Sequence, residues 1–250
     1  MRRVLMVLAA ISLFSFLCWS QAAPQAPAKK PTPAKPATAA TAATKPAAAA
    51  VAAKPTAVID TTAGKLSCTL FPDKTPIGVA NFVGLSRGTK DWMSPLDGHK
   101  KHNVPLYDGT IFHRVIPSFM IQGGDPRGDG TGDPGYKFAN ETSSDLGFDR
   151  PGRLAYANAG PGTNGSQFFI TEMPYPSLNG GYTLFGQCDD ASVEVVKQIA
   201  RMARDEHDRP YVPVKITHIT ITGVAGHAAP AHPAAKKATH AAPKTATPKP

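Results

Sequence analysis

Acidic residues are missing from both ends of this chain. All 18 Asp and Glu lie within residues 57–223, while residues 23–56 and 224–250 are almost entirely Ala, Pro, Lys and Thr, with no aromatic side chain. Segments with so little to bury cannot offset the entropy of ordering them, which excludes a core at either end and reads as disorder. The formal charge of +9 is therefore uneven: the 16 Lys and Arg of residues 57–223 fall short of the 18 acids there, a balance of −2. The surplus sits at Arg2 and Arg3, at five lysines from Lys29 to Lys54, and at four from Lys236 to Lys249. A protein that reads nucleic acid carries its positive charge on a folded face, so specific nucleic-acid binding is not expected.

Long hydrophobic runs are as scarce. The one at the start, Val4 to about Leu17, follows Arg2-Arg3 and precedes Ser20-Gln21-Ala22. It is too short for a comfortable membrane span and has the layout of a secretory signal peptide, with cleavage after Ala22. The expectation is an exported protein, periplasmic or secreted; the competing reading is an uncleaved anchor. Lipidation at Cys18 is discounted, because Leu17 stands where a small residue is required. Cleavage leaves two cysteines, Cys68 and Cys188. A disulfide and two buried thiols both remain open from sequence, with the apolar habit of free cysteine favouring thiols.

Other chemistries lack a necessary part. Asp125 to Asp133 faintly resembles a calcium loop, but Arg127 takes a ligand position and no Glu closes it. Gly160 to Ser166 lacks the lysine of a phosphate-binding loop. His99 and His102 have no second pair at metal-ligand spacing. No nucleophile with its base and no metal cluster is evident, and no cofactor is expected.

What is present reads as one domain, residues 57–223, between a linker (23–56) and a basic tail (224–250). Residues 57–71 alternate apolar positions about a turn at Ala63-Gly64, predicting a hairpin. Thr75-Pro76 predicts an N-cap and first helical residue, with the helix ending at Gly88 and Val79, Phe82 and Val83 inward. Residues 89–109 read as a long surface loop. Strands are predicted at 110–115, 119–122, 153–158, 167–171, 183–186 and 214–222. A second helix is expected from Ala191 to about Arg201, with Val195, Val196 and Ile199 inward. Many short strands and two helices point to an antiparallel barrel or sandwich.

Two stretches mix core-type residues with Arg, Asn and Gln: Phe112-His113-Arg114-Val115-Ile116-Pro117-Ser118-Phe119-Met120-Ile121-Gln122-Gly123-Gly124-Asp125, and Ala157-Asn158-Ala159-Gly160-Pro161-Gly162-Thr163-Asn164-Gly165-Ser166-Gln167-Phe168-Phe169-Ile170. Strand period puts Gln167 with Phe169 on one face and Phe168 with Ile170 on the other. Met120 shares a face with Gln122, and Arg114 points away from His113 and Val115. One face then carries an Arg, two Gln, a Met and a Phe, which suits a small binding pocket.

These stretches resemble the signature segments of the cyclophilins, and the likeness extends over nearly all of 57–223, including Leu178-Asn179-Gly180-Gly181-Tyr182-Thr183-Leu184-Phe185-Gly186 and Pro213-Val214-Lys215-Ile216. The resemblance implies a mostly β fold, a closed eight-stranded antiparallel β-barrel capped by two α-helices. It also implies cofactor-free cis/trans isomerisation of Xaa-Pro bonds in proline-containing polypeptides, by a monomer. It makes Arg114 the catalytic residue and Phe119, Met120, Phe169 and Leu178 the walls of a proline pocket. Gln122, Asn158 and Gln167 would bind the substrate backbone or orient Arg114. Ala157 and Ala159 would line an adjoining groove, with His113 and Tyr182 completing the binding set. Ser177 departs, standing where many members have an aromatic ring; the rim is either more open or closed by Tyr175. The tails read as solvated spacers or as adhesive to anionic cell-envelope polymers. A peptide-binding or tethering module with little catalysis is the alternative function.

Overall fold

The computed structural model describes residues 54–223. The segment expected to be a signal peptide, the basic tail and all but the last three residues of the expected linker lie outside the described residues.

The chain opens with a hairpin, β1 (Thr56–Thr61) and β2 (Gly64–Leu70). Thr61 and Gly64 are register partners, so the turn holds two residues, and the Thr61 hydroxyl donates to the Gly64 carbonyl at 2.6 Å. Alternation does what a half-buried strand requires: Ala57, Ile59, Leu66, Cys68 and Leu70 are buried. Helix α1 (Pro76–Arg87) follows, with proline at its start and Gly88 in the left-handed conformation (φ 72°) at its end. The Thr75 side chain makes no capping bond. The Glu141 carboxylate, distant in sequence, instead accepts from the N–H groups of Ile77 (3.0 Å) and Gly78 (2.7 Å). A remote acid at a helix start satisfies the same orphan donors and the same dipole as a local cap.

Residues 89–109 hold a small antiparallel pair of their own, β3 (Trp92–Met93) and β4 (Lys100–Lys101). The remaining elements are β5 (Arg114–Ile116), β6 (Met120–Gly123), β7 (Arg153–Tyr156), β8 (Phe168–Thr171), a 3₁₀ turn (Pro176–Leu178), β9 (Leu184–Cys188), α2 (Asp190–Ala200) and β10 (Ile216–Thr222). The strand expected from 110 begins only at Arg114, because residues 110–112 bond to the approach to β10: Phe112 N–H donates to Val214 O, and Ile216 N–H to Thr110 O. In α2, Asp189 caps through Ser192 N–H at 2.8 Å. Its buried residues include Val193, Val196, Ile199 and Ala200, while Val195 is only half-buried.

The large sheet has eight antiparallel strands in the order β10-β1-β2-β9-β7-β8-β6-β5. Strand number, pairing sense and the two helices agree with the expected barrel, but a closed ladder is not what is seen. The end strands β5 and β10 are linked through single bridges of Ile111 to Asp125 and to Lys215, so the sheet is a curled half-barrel. Its interior is filled by Phe82 of α1, whose ring meets those of Tyr107 (5.1 Å), Phe168 (5.5 Å) and Phe185 (5.1 Å). Cys68 and Cys188 are register partners on β2 and β9 and are joined as a disulfide, correcting the preference for two thiols. Residue type argued for thiols, and only the pairing of the two strands could bring the sulfurs together.

Candidate active site

The strand register builds the site. Arg114 on β5 pairs with Gln122 on β6, Gln122 with Phe169 on β8, and Phe169 with Ala155 on β7. Laterally paired residues point to the same side of a sheet, so these four form one row across four strands. Their chain neighbours Val115, Ile121, Phe168 and Ile170 belong to the interior core, while Met120, Ala155, Phe169 and Leu184 form a second cluster with Phe148. The period-two sorting read from the sequence is what the two clusters display.

Beside the row lies a depression of about 230 Å³ lined by Arg114, Phe119, Met120, Gln122, Ala157, Asn158, Phe169, Leu178 and Tyr182. All nine were expected as site residues. The Phe169 ring is held from two sides, stacked on Phe148 at 5.8 Å and edge-on to Tyr182 at 5.4 Å. A second depression, about 240 Å³, shares Gln122, Ala157 and Asn158 with the first and adds Ala159 and Gln167. His113 lines neither. It is buried with both ring nitrogens unpartnered among the described residues, and burial holds its pKa below the usual histidine value.

Two amide side chains are engaged inside the protein. Gln167 donates to the Gly130 (3.0 Å) and Gly132 (2.9 Å) carbonyls and accepts from Gln122 at 3.0 Å. The loop it props is organised by the fully buried Asp125, which accepts from the N–H groups of Arg127, Gly130 and Gly132. Asn158 donates to the Gly181 carbonyl at 3.1 Å, tying Ala157–Ala159 to the segment carrying Tyr182.

Arg114 is held loosely. Its Nε lies 3.6 Å from Asp208, which also pairs with Arg204 at 3.2 Å. Asp208 has a positive φ (63°), and its carbonyl accepts from Val115 N–H at 2.8 Å, fixing it beside β5. A guanidinium has five donors, so one long ion pair leaves most of them available.

Sequence reasoning missed Asp208 and Glu172. Glu172 is buried at the end of β8, where its carboxylate accepts from Ser118 N–H at 2.8 Å and pairs with Arg201 at 2.5 Å. Its own N–H donates to the Phe119 carbonyl at 2.8 Å. Ser118 has φ 59°, a left-handed conformation unfavourable for a residue with a Cβ. Glu172 therefore holds the turn that presents Phe119. An acid closing the apolar run Phe168-Phe169-Ile170-Thr171 was the available signal. Ser177 is exposed, and Tyr175 packs its ring on Phe119 at 4.6 Å without lining the pocket. Among the described residues, no three His, Cys, Asp or Glu side chains converge as a metal site requires.

Known proteins resemble this chain in sequence and in fold. The family model for cyclophilin type peptidyl-prolyl cis-trans isomerases matches residues 56–221. The chain is 53% identical over 171 residues to peptidyl-prolyl cis-trans isomerase A of Mycobacterium tuberculosis, covering 68% of this chain and 93% of that protein. It is 48% identical over 167 residues to peptidyl-prolyl cis-trans isomerase B of Streptomyces anulatus, covering 66% and 95%. Among solved structures, a Cryptosporidium parvum cyclophilin crystallised in the presence of the dipeptide Ala-Pro superposes with a TM-score of 0.58 at 36% identity, over 66% of this chain and 98% of that one. With family match, relatives and fold in agreement, the chain belongs to the cyclophilin-type peptidyl-prolyl cis-trans isomerases.

Proposed function

We propose that the depression walled by Phe119, Met120, Phe169 and Leu178 seats the proline ring of a polypeptide while Arg114 stabilises the twisted Xaa-Pro bond. The row Arg114–Gln122–Phe169 carries this reading, because it sets a guanidinium and an apolar wall on the same face of adjacent strands. The barrier to rotation, roughly 18–20 kcal/mol, comes from resonance between the nitrogen lone pair and the carbonyl. As the bond twists, the lone pair returns to a pyramidal prolyl nitrogen and can accept a hydrogen bond. A guanidinium stays protonated and donates to that nitrogen more strongly in the twisted state than in either planar one. The apolar walls hold the ring while the carbonyl side turns, and by excluding water they strengthen the donation from Arg114. A 10⁵-fold acceleration needs about 7 kcal/mol of such differential stabilisation. The Ala-Pro dipeptide named with the Cryptosporidium cyclophilin supports proline-containing chains as the substrate class.

The sequence supports exported polypeptides as clients, with the basic tails acting as spacers or as anchors to anionic envelope polymers. A tethering module with little catalysis is the second reading, and one assay separates the two. Wild-type protein is expected to accelerate isomerisation of an Ala-Pro peptide, and Arg114→Ala to lose about 10³-fold in kcat/KM with its circular dichroism unchanged, a loss of the size seen for one donor to a developing charge. Near-normal activity in Arg114→Ala overturns the mechanism. No acceleration by wild type favours the tether.

A further inference from the structure

A third depression, about 420 Å³, lies on the other side of Arg114 and uses residues that the isomerase chemistry leaves unassigned. It shares Arg114 and Gln122 with the proline pocket and is otherwise lined by His113, Asp129, Gly130, Asp205, His207 and Arg209. Three of these come from the loop after α2, which Asp205 shapes by accepting the N–H groups of His207 and Arg209, both at 2.9 Å. That loop is also the one that supplies Asp208 to Arg114.

The charges in this depression are unequally committed. Asp129 accepts from Thr131 N–H and hydroxyl and pairs with Arg127 at 3.3 Å. Asp205 is bonded within its own loop by the two N–H groups. His113 forms part of the floor but has its nitrogens buried, and burial favours its neutral form. Arg209 differs: its side chain is exposed and has neither an ion pair nor a hydrogen bond among the described residues. The depression thus offers one exposed guanidinium with no hydrogen bond or ion pair of its own, near the charge of Asp205, a second in Arg114 held only by a 3.6 Å ion pair, and two carboxylates, of which Asp129 is paired and Asp205 is bonded through one oxygen.

We infer that this depression is a subsite for an anionic side chain of the substrate, a carboxylate or a phosphate on a residue flanking the proline, with Arg209 as its main donor. The inference rests on the proposed seating of proline beside Arg114. The two depressions meet at Arg114 and Gln122, the residues common to both, so a chain whose proline occupies one pocket has the other within reach of a flanking residue. A planar guanidinium matches carboxylate and phosphate oxygens in the geometry of paired N–H donors.

The test uses peptides that differ only beside the proline: Glu, Gln, Lys or phosphoserine placed directly before it in one series and directly after it in another. For wild-type protein at low salt, kcat/KM for the Glu peptide is expected to exceed that for Gln by about tenfold in one series, the size of one charge-assisted hydrogen bond. Arg209→Gln should bring that ratio close to one, and Arg209→Lys should keep part of it. A preference for phosphoserine over Glu identifies phosphate as the better ligand; equal or lower use of phosphoserine identifies carboxylate. Equal rates for Glu and Gln in both series, a preference for Lys, or a Glu preference that survives Arg209→Gln overturns the subsite. Failure of the neutral Ala-Pro peptide to turn over at all strikes the isomerase reading itself, so the two failures are distinct.

Discussion

The two sides of strands β6 and β8 are made from the same eight residues, yet they are different kinds of surface. The side facing the interior presents Ile121, Phe168 and Ile170 to a core closed by α1. The outer side presents Met120, Gln122 and Phe169, one residue further along, to a depression open to solvent. Buried area does not separate them, since Phe169 is nearly as covered as Phe168, at 5% and 0% exposure. What separates them is the polar company on the outer side, where Arg114 and Gln122 stand in register with Phe169. The interior stores stability, and the outer side holds a shape together with its donors.

The sharpest way to break this comparison is to substitute across it. Phe168→Ala, in the interior, is expected to cost roughly 3–5 kcal/mol in chemical denaturation. Arg114→Ala should leave that midpoint within error while abolishing most activity, as set out above. If the two substitutions exchange effects, the division is wrong. Next in size is the disulfide between Cys68 and Cys188, which ties together strands 120 residues apart in sequence. Closing so long a loop restricts the unfolded chain, so a Cys68→Ala/Cys188→Ala variant should lose roughly 2–5 kcal/mol. Its KM should remain that of wild type, because neither sulfur faces the pocket.

Glu172 lies on the boundary and sharpens the comparison. Glu172→Ala leaves Ser118 N–H without its acceptor and should cost roughly 1–3 kcal/mol. A purely structural residue would stop there. Displacement of Phe119 should also raise KM for an Ala-Pro peptide more than it lowers kcat, and Glu172→Asp should recover part of both. An unchanged KM in Glu172→Ala removes its positioning role. The smallest expected effect belongs to His113, whose buried ring has its pKa lowered by desolvation. The unfolded chain then takes up a proton at higher pH than the folded one. Stability is full above the ordinary histidine value, about 6.5, and falls as pH drops through the window below it, down to the lowered folded value. Urea titrations at several pH values should show a shallower slope for His113→Gln than for wild type. Equal slopes would mean that the ring is solvated.

Much of the site was legible because seven of the nine pocket residues lie in two short stretches, where the strand positions alternate with period two. That period sorts Phe168 from Phe169 whatever the partner strands are, and the length of the stretches made the likeness to cyclophilins specific. Contributions from single residues of distant segments were not legible. Glu141 capping α1, Glu172 holding Ser118 and Asp208 standing by Arg114 are ordinary surface acids in the sequence. No spacing links them to the groups they serve.

The sequence by itself determined the hairpin, the two helices and the shared face of Arg114, Met120, Gln122 and Phe169, since these depend on local periodicity and on Gly, Pro and cap residues. Only the tertiary structure decided the rest. It chose Glu141 over Thr75 as the cap, joined Cys68 to Cys188, and ended the sheet in bridges at Ile111 instead of a closed ladder. It also committed Gln167 to the distant loop of Gly130 and Gly132 and left the Arg209 side chain exposed beside Asp205. Each of these outcomes turns on which distant groups meet, and a local pattern holds no information about a partner whose position is set by the packing of the whole chain.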